Sequence, residues 1–477
     1  MFKSAVVIRV FNRNYSKFRA KYKETNTPSA KKKLATYKAL EHFDDFYKQV
    51  YGSKWQLIRS GLLCKQKYIA VVNNYSDTEE ICAGLEARGA INVSKIFKAT
   101  AMTLKDDNVK VERQKSLDKI YEMDKEQPDV VEKEDKPQKA ERNFSLQKSL
   151  DEAEIDTSRI INASNSLSLG GLHEFIPATK IKGREDFILE SDHFRYYSKS
   201  SEFPLKIERE YKLEFPENLH VYCYEEENLT EFPHPKSGST GVLNYYLMDG
   251  ASLLPVLALD LKPGVRMLDV CSAPGGKSLI ALQTLYPDAI VCNDSSISRT
   301  NRIKNVFKQY LFDFDEKWIK TGKIRISCAD ARYMGMGEEY DRVLVDVPCT
   351  TDRHSVNEDD NNIFKADRIK ERLKLPELQS EILFNALQMV SVGGTVVYST
   401  CSLSPIQNDG VVHMALKRLW EETKIEMVVK DMTMALRQVK HVYKMASPRL
   451  MKFGHQVVPN SMQNFGPSYF CKLQRIK

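Results

Sequence analysis

From Gly264 onward the chain alternates short apolar runs with longer amphipathic stretches. The runs are Val265–Val270, Ala289–Asn293, Ile324–Ala329, Arg342–Val347 and Thr395–Thr400. Each is rich in β-branched residues, the composition of a strand buried on both faces. Helix-length segments separate them, which predicts a doubly wound α/β fold around a parallel sheet. Upstream, Ala35, Tyr37, Leu40, Phe43, Phe46, Tyr47 and Val50 recur at helical spacing, followed by Trp55, Ile58, Leu62 and Leu63. Residues 26–103 therefore read as a small, mostly helical region.

Between these two parts the pattern vanishes. From Lys105 to Asp156, 27 of 52 residues are Asp, Glu, Lys or Arg, and only Tyr121 and Phe144 are aromatic. Such a stretch buries too little apolar surface to offset its ordering entropy, so 104–164 is expected to be a charged, disordered insert. The large domain then spans 165–477.

Charge changes the reading of the amino terminus. Seven basic residues, Lys3, Arg9, Arg13, Lys17, Arg19, Lys21 and Lys23, precede the first acid, Glu24. Arg9 interrupts any apolar run long enough for a secretory signal. Residues 1–25 fit an amphipathic mitochondrial transit peptide instead. The formal net charge of the whole chain is +7, which this run alone accounts for. The remainder is close to neutral, so a nucleic-acid contact must come from a local patch or a partner. The nine cysteines include no CxxC pair and no Cys/His cluster, so no metal site is expected and reduced thiols fit better than a disulfide framework. No window approaches 18 uninterrupted apolar residues, the length needed to cross a membrane as a helix.

The candidate chemistry lies at the strand ends. The first run closes in Leu268-Asp269-Val270 and opens into Cys271-Ser272-Ala273-Pro274-Gly275-Gly276-Lys277-Ser278. Glycines there let a ligand approach the backbone ahead of a helix. This is neither a Walker A loop nor a GxGxxG fingerprint, so a pyrophosphate is not demanded. The second run ends at Asp294, placed to accept from both hydroxyls of a ribose, with Arg299 opening the next helical stretch. The third ends at Asp330, placed for an adenine amino group. Each acid alone reads equally well as a helix cap, but three in succession favour a nucleoside crevice. The fourth and fifth runs put Cys349 and Cys401 just past their carboxyl ends, in Asp346-Val347-Pro348-Cys349 and Ser399-Thr400-Cys401-Ser402.

These three motifs together resemble the signature set of the NSUN (Nol/Nop/Sun-domain) RNA cytosine-5 methyltransferases. Asp346–Ser355, Asn361–Lys365, Val397–Leu403, Phe175–Gly183 and Asn464–Cys471 are similar to the family's mitochondrial ribosomal-RNA member. The resemblance covers about residues 35–103 and 170–477. It implies a Rossmann-like class I methyltransferase sheet and S-adenosyl-L-methionine as methyl donor. The implied cofactor shell is Gly275, Gly276, Lys277, Asp294, Arg299, Asp330 and Asp346. Cys401 would be the nucleophile and Cys349 would assist product release. The implied partners are mitochondrial ribosomal RNA, mitochondrial ribosomal subunits and a helical-repeat protein of the mitochondrial transcription-termination-factor family, in the mitochondrial matrix and away from any membrane. Two departures stand out: Ser272 where alanine is usual, and Ala331 where glycine often follows the acid.

The chemistry explains the residue types. Cytosine carbon 5 is too weak a nucleophile to take a methyl group from a sulfonium unaided. A thiolate added to carbon 6 makes carbon 5 enamine-like. Asp346 is expected to bind the ring nitrogen and amino edge of the base, which must be unstacked to enter. With a thiol pKa near 8.5, roughly a tenth of Cys401 is ionised at pH 7.5, so full ionisation gains only ~1.4 kcal/mol. Enzymes supply ~8–23 kcal/mol, and positioning must provide most of it. The loop from Thr350 to Lys374, with Arg353, His354, Arg368 and Arg372, reads as a cover that touches RNA phosphates. Methylation of another RNA such as a tRNA, and a non-catalytic assembly factor on the same fold, are the alternatives. A DNA cytosine methyltransferase would leave Thr400-Cys401 without a role.

Overall fold

A computed structural model describes residues 34–104, 203–335, 337 and 339–477. The basic amino terminus, the charged insert and Phe175–Gly183 lie outside the described residues. The described part begins with α1 (Ala35–Tyr51) and α2 (Trp55–Leu63), then β1 (Tyr68–Val72), α3 (Thr78–Ala87) and β2 (Ile91–Asn92). After the undescribed stretch come β3 (Lys206–Arg209), β4 (Val221–Cys223), β5 (Tyr245–Asp249) and α4 (Leu253–Ala258). The alternating part runs β6 (Val265–Asp269), α5 (Gly276–Gln283), β7 (Pro287–Asn293), α6 (Ile297–Tyr310), β8 (Ile324–Ser327) and β9 (Tyr340–Asp346). It continues through α7 (Asp352–Asn357), α8 (Ile369–Met389), β10 (Val390–Thr400), α9 (Val411–Glu422), β11 (Met427–Asp431), β12 (His455–Val457) and β13 (Ser468–Arg475).

All five predicted runs are strands of one sheet, in the order β3-β11-β13-β10-β9-β6-β7-β8, with β12 paired to β13. Strands β10, β9, β6, β7 and β8 are mutually parallel. β13 is antiparallel to its neighbours β10 and β11. The strand order reverses direction between β6 and β9, and ligands of open α/β sheets bind at the carboxyl ends beside such a reversal. Leu268, Val343, Leu344, Val345, Val396, Val397 and Tyr398 are fully buried there, as their unbroken apolar runs require. Edge strand β3 is largely exposed, and its lack of a strong apolar signal left it outside the sequence-based expectation.

The amino-terminal region is mainly helical, as its spacing indicates, but it also contributes two strands. β1 and β2 join β4 and β5 in an antiparallel four-stranded sheet ordered β2-β4-β1-β5. The segments on either side of the charged stretch thus build this sheet together. Helices α1 and α2 bury Phe43, Phe46, Tyr47, Trp55, Ile58 and Leu62 against Val356, Ile363, Phe364, Leu403 and Ile406. Each large apolar side chain buried this way contributes about 1.5–3 kcal/mol. The polar seam is also fixed: Asp44 accepts from Trp55 Nε1 at 2.9 Å and from Arg59 Nε at 2.7 Å. The consequence for function is that α1 packs on the loops that follow β9 and β10.

Candidate active site

The turn after β6 is built for close approach. Gly275 has φ of +107° and caps α5, a conformation that disfavours any side chain. A Cβ on Gly276 would lie 3.0 Å from Cε1 and 3.2 Å from Oη of Tyr246. Asp269, at the strand tip, is 1% exposed, and Ser278 Oγ donates to its Oδ2 at 2.5 Å. Burial, with the charge of Asp346 nearby, pushes the Asp269 carboxyl up to about 7 against the pull of the Ser278 bond.

At the tip of β7, Asn293 ties three strand ends together. Its Nδ2 donates to Val270 O at 3.0 Å and to Ala329 O at 2.9 Å, while its Oδ1 accepts from Ser327 Oγ and from Ala329 N. Asp294 is 2% exposed. Its Oδ1 accepts from Ser296 N at 3.1 Å, the capping role that composition left open. Its Oδ2 faces Arg299 Nε at 3.2 Å but accepts no hydrogen bond, and Asp269 Oδ1 is likewise buried without one. Buried carboxylate oxygens of this kind are completed by an ordered water or by a ligand. Together with the glycine turn they fit a nucleoside-bearing cofactor. Asp330 is different: it is more exposed, and both its oxygens are occupied by Arg332, the shortest contact being 2.7 Å.

The second half of the site is a thiol rim. Lys277 Nζ lies 2.7 Å from Asp346 Oδ2, and Ser399 Oγ donates to Asp346 Oδ1 at 2.8 Å. Thus Asp346, expected to face the base, has both oxygens engaged within the protein. Burial works against the charge of Lys277, but Asp346 and Cys401 hold its ammonium above the ordinary range. Across β9 and β10 the backbone N–H of Cys401 donates to Cys349 Sγ at 3.3 Å. This contact sets the two thiols side by side. The neighbouring Cys401 holds Cys349 below the ordinary thiol range, and Cys349 together with burial pushes Cys401 well above it, while Lys277 draws Cys401 back down. The two protons therefore come off in separate steps that belong to the pair.

Polar residues that sequence reasoning missed hold this rim. Gln379 of α8 donates to Pro348 O at 2.8 Å, and Asn385 of the same helix ties in the segment after β8 by donating to Ala331 O at 2.7 Å. Asp352, Tyr47 and Gln407 also belong to it, through bonds to the residues after each cysteine. No motif announces them, because their partners are brought together only by folding.

The expectation that residues 350–374 turn basic side chains to phosphates fails for Arg353, and the other three named residues already have partners within the protein. Arg353 is buried, and donates to Gly466 O at 2.7 Å, Gly61 O at 3.0 Å, Cys64 O at 3.2 Å and Asn464 Oδ1 at 2.8 Å. Arg368 is paired with Glu371 and Asn361. Arg372 lies over the Phe364 ring at 4.5 Å, and His354 Nε2 bonds Asp360 O at 2.8 Å. Orphaned carbonyls at the ends of α2 and before β13 capture Arg353, which local sequence does not reveal.

A doubly wound sheet with a glycine turn, strand-tip acids and two adjacent thiols defines an S-adenosyl-L-methionine-dependent RNA cytosine-5 methyltransferase. Residues 256–464 match the 16S rRNA methyltransferase RsmB/F family. The chain is 36% identical over 471 residues to the 5-cytosine rRNA methyltransferase nsun-4 of Caenorhabditis elegans, covering 96% of this chain and 94% of that one. A match of that span takes in the charged stretch as well. It is 34% identical over 442 residues to the 5-cytosine rRNA methyltransferase NSUN4 of Xenopus laevis, covering 92% and 90%. A more distant relative is the mitochondrial tRNA (cytosine(34)-C(5))-methyltransferase of Mus musculus, 33% identical over 255 residues, 53% of this chain and 70% of that one. The chain belongs to the NSUN family, close to its NSUN4 members.

Proposed function

We propose that this chain makes 5-methylcytosine in mitochondrial small-subunit ribosomal RNA, in the matrix, and that it serves assembly of the mitochondrial ribosome. The observation that carries the reading is the pairing of Cys349 and Cys401, the backbone N–H of Cys401 donating to Cys349 Sγ at 3.3 Å, beside the Lys277–Asp346 ion pair. The site of the cofactor is the turn at Gly275 and Gly276 with Asp294 and Arg299, and with Asp330 once Arg332 releases one of its oxygens; when bound there S-adenosyl-L-methionine would supply an electrophilic methyl group. Cys401 forms a bond from Sγ to carbon 6 of the target cytosine, and its proton leaves to the neighbouring Cys349 thiolate. The electron pair of the 5,6 double bond is thereby placed on carbon 5. After methylation, the carbon 5 proton passes to a base, the Cys401–carbon 6 bond breaks, and Cys349 assists release by returning a proton to the departing sulfur. Asp346 orients the amino edge of the base through a rearrangement of its bonds to Lys277 and Ser399.

The amino-terminal basic run, free of acids until Glu24, supports mitochondrial targeting. The near-neutral remainder supports an RNA-affinity partner, for which a helical-repeat protein of the mitochondrial transcription-termination-factor family is the proposed candidate. The test is bisulfite sequencing of mitochondrial RNA from cells lacking the gene, rescued with wild type or Cys401→Ala. Loss of one small-subunit rRNA methylcytosine, restored only by the wild type, is expected. Loss confined to a tRNA position would reassign the substrate. Full recovery of ribosome assembly with Cys401→Ala would make the scaffold role the essential one.

A further inference from the structure

Both cysteine loops converge on a single buried carboxylate, within the Asp346–Ser355 stretch, to which the resemblance gives no role. Asp352, three residues beyond Cys349, is 0% exposed. Its Oδ2 accepts from Leu403 N at 2.7 Å and from Tyr47 Oη at 2.7 Å. Its Oδ1 accepts from Thr350 Oγ1 and from Ser402 Oγ, the latter at 3.2 Å. Its own backbone N–H donates to Cys401 O at 3.2 Å. Thus Asp352 grips residues 401–403 from two sides, holds Thr350 next to Cys349, and reaches across to α1. Tyr51 of the same helix adds a bond to Leu403 O at 2.8 Å. Thr351, between Cys349 and Asp352, adopts φ of +45°, a conformation that costs a β-branched residue about 1–3 kcal/mol and persists only where its surroundings enforce it.

The donors on Asp352 are uncharged. A carboxylate held by hydroxyls and one amide at full burial is a costly choice for packing alone. What the arrangement supplies is register: the two thiols sit just past the ends of the paired strands β9 and β10, where the ladder between the strands stops and groups in the loops must hold the distance between them. We propose that Asp352 is a positioning residue for methyl transfer, locking the Cys349 and Cys401 loops to each other and to helix α1. The amino-terminal helix is then part of the catalytic apparatus through Tyr47. The inference rests on the function proposed above.

Burial pushes the Asp352 carboxyl up to about 6, opposed by its hydrogen bonds, so it is ionised at neutral pH. The titratable groups facing it are Tyr47 and Tyr51 from α1 and Cys349 from the loop after β9, with Asp409 acting on Tyr51 from the segment after β10. Its charge raises the Cys349 thiol, which provides a readout that simple loss of packing does not move.

The experiment compares the full chain as wild type, Asp352→Asn and Tyr47→Phe on an in vitro transcript of the small-subunit rRNA. It records kcat, KM, affinity for free S-adenosyl-L-methionine, and the pH profile of Cys349 alkylation by iodoacetamide, read by peptide mass spectrometry. Asp352→Asn is expected to lower kcat ~100-fold, the scale of a displaced reacting group. Tyr47→Phe removes one charge-assisted bond and lowers kcat ~10-fold. Cofactor affinity stays within about twofold in both, because the turn at Gly275 is untouched. The Cys349 alkylation midpoint moves to lower pH in Asp352→Asn. If that variant does not fold, the Tyr47→Phe kcat decides. Unimpaired kcat in the folded variants, or an alkylation midpoint that does not move in Asp352→Asn, overturns the proposal. A wild type that makes no 5-methylcytosine sinks the functional reading instead, and the alkylation profile still judges Asp352.

Discussion

Lys277 Nζ lies 2.7 Å from Asp346 Oδ2, and so joins the glycine turn after β6 to the tip of β9. The two halves of the site, cofactor turn and thiol rim, meet at this ion pair. Lys277 is 11% exposed and Asp346 26%, so solvent screens the pair only in part. Breaking one partner of a buried pair costs about 3–5 kcal/mol because the other charge is stranded. Lys277→Met is expected at the lower end of that range in thermal unfolding. It also withdraws the charge that lowers the Cys401 thiol, so Cys401 alkylation shifts to higher pH. Asp346→Asn added to it recovers part of the stability but no activity.

The carboxyl of Asp269, held at about 7 by burial, makes a signed pH prediction. The unfolded chain ionises this group near 3.9, so between pH 4 and 7 the folded state binds the extra proton. Its contribution is present below about 4 and lost as pH rises to about 7. Relative to Asp269→Asn, which keeps an acceptor for Ser278, the wild type should lose up to ~4 kcal/mol across that window. Denaturant titrations at several pH values check it. A difference that stays flat would show that Asp269 is not desolvated as described. Buried His413 and His455, held near 4 by burial, titrate alike in both proteins and cancel.

At Gly275 the φ of +107° makes any side chain strained by about 1–3 kcal/mol. Gly276→Ala instead presses its Cβ on the Tyr246 ring, which must give by a few tenths of an ångström. Gly275→Ala is expected to weaken S-adenosyl-L-methionine binding at least ~10-fold while RNA binding is unchanged, as measured by calorimetry and by filter binding.

Arg353 offers a prediction opposite to the one its charge suggests. Its four bonds to Gly466, Gly61, Cys64 and Asn464 are internal. Arg353→Lys cannot reproduce the fork and should cost about 2–4 kcal/mol of stability. The salt dependence of RNA binding should keep its slope. A slope reduced by about one would mark a phosphate contact after all.

The sheet was legible because its central strands are buried on both faces and so appear as continuous β-branched runs. Strands β1 and β2 were not, since a short strand beside helices leaves no periodic signature distinct from a buried helical turn. The strand-tip groups Asp269, Asp294, Cys349 and Cys401 were found because topology alone brings strand ends together. The residues that set their geometry, Asn293, Gln379 and Asp352, were not. Each acts through a backbone group or a side chain far along the chain, as Asp352 does with Tyr47. Arg353 shows the converse error: charge in a loop suggests solvent, but unsatisfied carbonyls elsewhere in the fold drew it inward.

The central claim is covalent catalysis by Cys401 with Cys349 as its proton partner. The direct measurement incubates wild type, Cys349→Ala, Cys401→Ala and the double variant with S-adenosyl-L-methionine and mitochondrial RNA, then resolves them on denaturing gels. A denaturant-resistant protein–RNA adduct should accumulate in Cys349→Ala and disappear from the double variant. An adduct that persists without Cys401 and requires Cys349 would contradict the assignment and reverse the two roles.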